Sequence, residues 1–253
     1  MKKNIYSITL LLFAGLLLVR CSKKDTFVSD QPSAYMNLAV GKYVTYRLDS
    51  LYYVNFGQKD TTVKYQAKDV VDAAITDNLG RPSWRIVRYL NDTAASGTWT
   101  PDITYLVTVS TNTLEVVENN LRFLKLKAPV LDDYTWKGNS YINTQAPANP
   151  NNEPDYTYFD NWDYTYANLG QPFTPFTTPV ANTITVNQRD ETLGTVNNVD
   201  AYSERNFSVE VYGKGIGLIY KNFVHWVFQP RTSTYPTGYY DGYGITLRMI
   251  DHN

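Results

Sequence analysis

Residues 103–128 read ITYLVTVSTNTLEVVENNLRFLKLKA, and their pattern indicates the fold class of the chain. Apolar and polar side chains alternate along it, and two short polar segments, 111–113 and 118–120, interrupt the alternation. Period-two alternation is typical of a β-strand with one buried and one solvated face, whereas Asn-rich segments favour turns. In the last third the leucines predict the buried face, while Lys125 and Lys127 predict the wet face. The stretch therefore predicts three antiparallel strands in succession.

The same alternation recurs in other parts of the chain. Residues 62–76 alternate as a strand, although a helix also fits their apolar spacing, and the turn at 77–80 favours a hairpin into 84–90. Residues 207–211 and 243–249 alternate in the same way. The prediction is an all-β fold with at most a minor α component. One antiparallel curved sheet would form either a partly open barrel or a sandwich.

Composition narrows the classes of function. The chain has 253 residues, of which 43% are hydrophobic and 19% are charged, so it can bury a core. Its formal net charge of −1 gives no electrostatic reason to expect a nucleic-acid partner. One cysteine excludes a disulfide within the chain, and two histidines offer little for an imidazole metal site. We expect no cofactor.

Residues 1–20 are predicted to be a lipoprotein signal peptide. Lys2 and Lys3 precede an apolar run over 10–19, which is shorter than the roughly 20 residues that a membrane span needs. The chain's only cysteine, Cys21, follows directly after Arg20.

Cys21 is the predicted site of lipidation. The segment LVRC at 18–21 resembles a bacterial lipobox, in which the cysteine becomes the lipidated first residue of the mature protein. Residues 21–38 would then be a polar tether that holds a single β-rich domain, 39–253, at the membrane. An uncleaved signal anchor with an incidental cysteine is the alternative.

Residues 145–180 differ from the rest of the chain in composition. They hold six of the 12 prolines and eight aromatic residues, which predicts a long loop that is not disordered. Flat aromatic faces beside Asn and Asp can bind sugars, and aromatic residues also anchor protein interfaces. The candidate binding residues are Tyr156, Tyr158, Trp162, Tyr164 and Tyr166. The alternative is that these side chains pack against the sheet; for Trp162 we expect partial exposure at its rim.

Other motifs give weaker indications. Glycines at 213, 215 and 217 invite a phosphate-loop interpretation, but both flanks read as strands, so a tight turn is favoured. No G-x-S-x-G motif is present, and His225 is expected to be a packed or rim histidine, so no catalytic residue is assigned. Asp155, Asp160 and Asp163 do not have the spacing of an EF-hand, and a calcium site formed by them is kept as an alternative.

Six stretches together carry a family resemblance. They are EVVENNLRFLKLKAPV (115–130), WKGNSYIN (136–143), NWDYTYANLGQPF (161–173), NTITVNQRDE (182–191), YGKGIGLIYKNFVHWVFQP (212–230) and GYGITLRMIDHN (242–253). The chain resembles an uncharacterised group of β-rich, lipid-anchored lipoproteins of Bacteroidota. The resemblance implies a lipoprotein signal and a single β-rich domain, and it assigns no site residues. The segment YGKGIGLI is also similar to the terminal strands of curved half-barrels that carry lipoproteins or apolar ligands.

The expected function is that of a non-catalytic binding or accessory lipoprotein, anchored by its lipid at the outer membrane. Its ligand would be a glycan, an apolar molecule or a partner protein of the envelope. A structural or assembly component without a small ligand is the alternative. A hydrolase is a third class, which would require a cleft with titratable groups.

Overall fold

The computed structural model describes residues 29–145 and 155–253. The predicted signal peptide and Cys21 lie outside these residues. The described residues form twelve strands and two short 3₁₀ helices, Pro32–Tyr35 (η1) and Thr157–Phe159 (η2). The strands are β1 (Tyr43–Val54), β2 (Lys59–Thr76), β3 (Pro82–Asn91), β4 (Thr100–Val109), β5 (Thr113–Glu118), β6 (Leu121–Lys127), β7 (Thr135–Lys137), β8 (Asp163–Phe173), β9 (Val180–Gly194), β10 (Ser203–Gly213), β11 (Gly217–Gln229) and β12 (Tyr239–His252).

All twelve strands belong to one antiparallel sheet that curls into a nearly closed barrel. The order across the sheet is β6-β5-β4-β3-β2-β1-β12-β11-β10-β9-β8-β7. The two edge strands meet, because the Leu124 amide donates to the Gly138 carbonyl over 2.8 Å. The indole N–H of Trp136 donates to the Leu124 carbonyl, also over 2.8 Å. The prediction of a curved all-β sheet is confirmed. Of the two predicted forms, a partly open barrel and a sandwich, the sheet adopts the barrel.

The hairpin between β2 and β3 shows how local sequence sets the strands. The carboxylate of Asp77 accepts the backbone N–H groups of Leu79 and Arg81, each over 2.9 Å, and Gly80 adopts a φ of +73°. An aspartate that caps its own turn and a glycine in the left-handed region together reverse the chain. Strand β2 spans the predicted 62–76, so the helical alternative for that segment is wrong.

The turns of the barrel alternate between two ends. The closed end carries the turns at 110–112 and 214–216, together with η1. The Gly215 amide donates to the Ala34 carbonyl over 2.7 Å, and Tyr35 is buried in the main hydrophobic cluster. The opposite end, called the open end, carries the turn at 119–120 and the long connection that contains η2. The N-terminal part of the described chain therefore fills the closed end.

The barrel interior is partly polar, which corrects one expectation. On β10 the polar side chains Ser208 and Glu210 point inward and are buried, while Phe207 is only half-buried on the outer face. On β6 Lys125 is also buried, 7% exposed, and its ammonium pairs with Glu210 Oε1 over 2.7 Å. The prediction of a wet face is therefore wrong for Lys125. A buried charge persists only where it is paired, and this interior supplies the partner.

The prediction of one long loop at 145–180 is wrong for its second half, and residues 146–154 lie outside the described part of the chain. Residues Asp163–Phe173 form β8, and Val180 begins β9. Within β8 Tyr164 and Tyr166 are buried, and the Tyr166 ring lies 4.5 Å from that of Trp136. Part of the aromatic segment therefore packs as a strand of the barrel wall.

Candidate functional site

A cavity of about 220 Å³ lies inside the barrel at its open end. Side chains from the η2 connection and from strands β8, β11 and β12 form aromatic walls. These are Tyr156, Tyr158, Phe159, Trp162, Tyr164, Phe223 and Tyr243. Side chains from the turn between β5 and β6 and from five strands add polar groups. These are Glu118, Asn119, Lys125, Gln188, Ser208 and Lys221. The cavity therefore combines flat apolar faces with charged groups.

The η2 connection is fixed to the barrel by hydrogen bonds. The Trp162 indole N–H donates to the Tyr158 carbonyl over 2.7 Å. The Asn139 amide donates to the Phe159 carbonyl over 3.1 Å, and its oxygen accepts the Tyr164 hydroxyl over 2.8 Å. No buried side-chain polar atom in the described part of this segment lacks a hydrogen-bond partner, so the aromatic walls are held in place.

The predicted binding residues divide into two groups. Tyr156, Tyr158, Trp162 and Tyr164 line the cavity, whereas Tyr166 does not. The Tyr166 hydroxyl instead donates to the carbonyl of Lys127 over 3.0 Å and accepts its amide over 2.8 Å, which ties β8 to the edge strand β6.

The expected exposure of Trp162 is wrong. Its side chain is 1% exposed, and its ring packs at 5.2 Å from Phe159 and 6.3 Å from Phe223. Among the aromatic residues of this segment that line the cavity, Tyr156 and Tyr158 are half-buried and Trp162 is buried.

Glu210 is the centre of an internal polar network. Its carboxylate accepts the Lys125 ammonium over 2.7 Å, the Gln188 amide over 2.9 Å and the Tyr212 hydroxyl over 2.7 Å. Burial alone raises the pKa of Glu210, but the ammonium groups of Lys125 and Lys221 outweigh it and hold the pKa below its ordinary value. Glu210 is therefore ionised and fully occupied by donors of the protein.

Glu118 and Lys221 have no such set of partners. Among the described residues, neither side chain makes a hydrogen bond, and the closest carboxylate oxygen to Lys221 Nζ is Glu210 Oε1 at 4.0 Å. Burial raises the pKa of Glu118, but the charges of Lys221, Arg88 and Lys125 outweigh this effect and lower it overall. The cavity therefore presents one ionised carboxylate and one ammonium group that remain available to a ligand.

His225 lies at the rim of this site. Its Nδ1 is 2.7 Å from the Asn206 side-chain oxygen, and its ring stacks on Tyr158 with centroids 3.9 Å apart. Burial lowers the pKa of His225, so the ring is neutral at pH 7. The structure agrees with the expectation of a packed rim histidine.

The remaining motifs do not form sites. The glycines at 213–217 make the hairpin turn between β10 and β11, as the turn interpretation predicts. In the part of the chain that the structure describes, no group of three or more Asp, Glu, His or Cys side chains is placed to hold a metal ion, and the calcium alternative for the aspartates at 155, 160 and 163 has no further support. Within residues 29–145 and 155–253, no helix has the length and apolar character to cross a membrane.

Comparisons with protein-family models, with curated proteins and with solved structures give no match. The resemblance to Bacteroidota lipoproteins, and the location at the outer membrane that goes with it, stay predictions.

Proposed function

We propose that the protein is a non-catalytic binding lipoprotein of the cell envelope that holds one sugar unit of a glycan in the cavity at the open end. One observation carries the proposal: aromatic walls surround a carboxylate, Glu118, and an ammonium group, Lys221, that make no hydrogen bond to any described residue, although Lys221 lies 4.0 Å from a Glu210 oxygen. Aromatic faces stack on the apolar faces of sugar rings, and charged donors and acceptors bind hydroxyl groups strongly.

The size and polarity of the cavity favour a sugar over an apolar ligand. Its volume of about 220 Å³ is below the 300–1,000 Å³ of sites for drug-sized ligands, so it suits a single ring or end group. An apolar ligand would separate Glu118 and Lys221 from water without replacing the lost hydrogen bonds, which is unfavourable. A glycan can place one unit inside and extend out of the open end.

The electrostatics of the carboxylates support binding rather than hydrolysis. A glycosidase needs a general acid with a raised pKa beside a second carboxylate. The pKa values of Glu118 and Glu210 are both lowered, because nearby cations outweigh the effect of burial. Both groups suit ion pairing and hydrogen-bond acceptance better than proton donation.

The position of the N-terminal segment agrees with a membrane-anchored binding protein. Lys214 Nζ in the closed-end turn pairs with Asp30 over 2.7 Å, so the described chain begins at that end. A lipid on Cys21 would therefore leave the open end, with the cavity, turned away from the membrane.

A second candidate function is contact with a partner protein of the envelope. Phe56 and Tyr141 lie in the open-end connections and are 84% and 58% exposed. Exposed aromatic side chains at one end of a domain are typical anchors of protein interfaces. This candidate corresponds to the structural or assembly role and requires no small ligand.

A glycan array with the purified protein tests the first function. Tyr156→Ala removes a cavity wall, and Tyr141→Ala is the matched control, because Tyr141 lies at the same end of the barrel but outside the cavity lining. We expect the protein to bind a subset of saccharides and Tyr156→Ala to bind them about five- to tenfold more weakly, the equivalent of one aromatic contact. The Tyr141→Ala protein should bind as the unaltered chain does. Binding to no saccharide, or equal loss in both variants, would contradict the proposal.

A further inference from the structure

We infer that the sugar held in this cavity is a neutral one, with two adjacent hydroxyl groups that bridge Glu118 and Lys221. The inference rests on the proposed function and specifies the class of its ligand. It follows from how the charges at the cavity are arranged and from which of them are already in use.

Glu118 and Lys221 are opposite charges that face one cavity without touching. Both line the cavity, and no ion pair within 4.0 Å joins them among the described residues. The two groups nevertheless interact, because Lys221 is the strongest of the cations that favour the ionised form of Glu118. A ligand that both donates and accepts hydrogen bonds can fill the gap between them, because it can donate to Glu118 and accept from Lys221.

Lys125 and Glu210 do not compete for that bridge. Lys125 Nζ is 2.7 Å from Glu210 Oε1, and Glu210 Oε2 accepts Gln188 and Tyr212. The two lysines and the two glutamates beside the cavity therefore sum to zero charge, and one ion pair is already complete. Lys221 Nζ is 4.0 Å from the same Glu210 oxygen, too far for a hydrogen bond, so the donor of Lys221 and the acceptor of Glu118 can still bind a ligand.

This balance selects against charged sugars. The carboxylate of a uronic acid would be attracted to Lys221 but repelled by the carboxylate of Glu118. The ammonium group of an amino sugar would be attracted to Glu118 but repelled by the ammonium group of Lys221. Like charges brought together in a desolvated site repel each other strongly, which is how a binding site rejects the wrong ligand. In a neutral pyranose one hydroxyl can donate to Glu118 while its neighbour accepts from Lys221, since each hydroxyl carries both functions.

The aromatic walls complete the match. Tyr156 and Tyr158 are half-buried, and Phe223 and Tyr243 line the same cavity. The apolar C–H face of a pyranose can pack on such rings while its hydroxyls reach the charged pair.

The test compares four small probes on the full-length protein by isothermal titration calorimetry. The probes are methyl glucoside and methyl galactoside (neutral), glucuronic acid (anionic) and glucosamine (cationic). At least one neutral probe should bind about tenfold or more tightly than both charged probes. Tighter binding of glucuronic acid or glucosamine by the unaltered protein overturns the inference and leaves the proposed function standing. Binding of none of the four, together with a blank glycan array, overturns both.

Variants of the charged pair provide the second readout. Glu118→Gln should weaken binding of the neutral probe and reduce the discrimination against glucuronic acid. Lys221→Met should reduce the discrimination against glucosamine, and Lys64→Met, an exposed lysine on β2, is the control that should change neither. A thermal melt of each variant checks that it is folded. Unchanged discrimination in folded Glu118→Gln and Lys221→Met proteins would contradict the bridge.

Discussion

Replacement of Trp162 by alanine tests whether the aromatic segment is part of the barrel wall. The side chain is 1% exposed, contacts Phe159 and Phe223, and donates its N–H to the Tyr158 carbonyl over 2.7 Å. Deletion of a buried large aromatic side chain costs about 3–5 kcal/mol. The total stability of a domain is about 5–15 kcal/mol, so a large part of it would be lost.

A urea melt of three proteins measures this effect. Trp162→Ala should lower the free energy of unfolding by about 3–5 kcal/mol. Trp162→Phe keeps a ring but loses the hydrogen bond to Tyr158, and it should lose less than the alanine variant. The control Tyr141→Ala, at a position that is 58% exposed, should stay within about 0.5 kcal/mol of the unaltered protein. A loss below about 1 kcal/mol for Trp162→Ala would refute the placement of Trp162 in the core.

Three further predictions concern the internal charges and the anchor. Lys125→Met leaves Glu210 buried without its closest cation, so it should lower the free energy of unfolding by about 3–5 kcal/mol in a urea melt. The double variant Lys125→Met/Glu210→Gln should lose less stability than Lys125→Met. An equal or greater loss in the double variant would argue against the pairing of Lys125 with Glu210. The folded-state pKa values of Glu210 and Glu118 lie below the ordinary 4.5. At a pH between the folded-state and the unfolded-state pKa, the unfolded chain therefore binds more protons than the folded chain. The stability that the ionised carboxylates provide above about pH 4.5 should be lost as the pH falls through their folded-state pKa values. Melts across this range should show a shallower acid loss in Glu210→Gln, and an identical profile would contradict the assignment. Finally, Cys21→Ala should abolish membrane sedimentation after a high-salt wash, whereas retention in the pellet would favour an uncleaved signal anchor.

The strands could be predicted from the sequence because each depends on local alternation and on nearby turn residues. The hairpins at 77–81 and 110–113 are built by side chains within a few residues of one another, as the Asp77 turn shows. Closure of the barrel could not be predicted in this way. It depends on contacts between β6 and the segment after it, such as Leu124 with Gly138, and no pattern within one strand determines them.

Strand β8 was missed because its composition is that of a loop. Pro172 lacks a backbone N–H, which argues against a central strand. In the structure β7 pairs only with residues 163–165, so the second half of β8 has a neighbour on one side alone. A proline is tolerated at such an edge.

The charged part of the site was missed for a related reason. Alternation shows which residues share a face, but it does not show which face points into the barrel, and on β10 the polar face is the inner one. Lys125 and Glu210 are 85 positions apart, so neither could be recognised as the partner of the other from the sequence. The aromatic part was found because Tyr156, Tyr158, Trp162 and Tyr164 are close together in the chain.

Whether the cavity holds a sugar can be seen in a crystal structure of the protein with the saccharide that binds it most tightly. We expect density for one pyranose ring inside the cavity, stacked on Tyr156 or Tyr158. Its adjacent hydroxyls should lie within about 3.2 Å of the Glu118 carboxylate and the Lys221 ammonium. Density for the sugar only on the outer face of the barrel, or for a hydrocarbon chain inside the cavity, would contradict it.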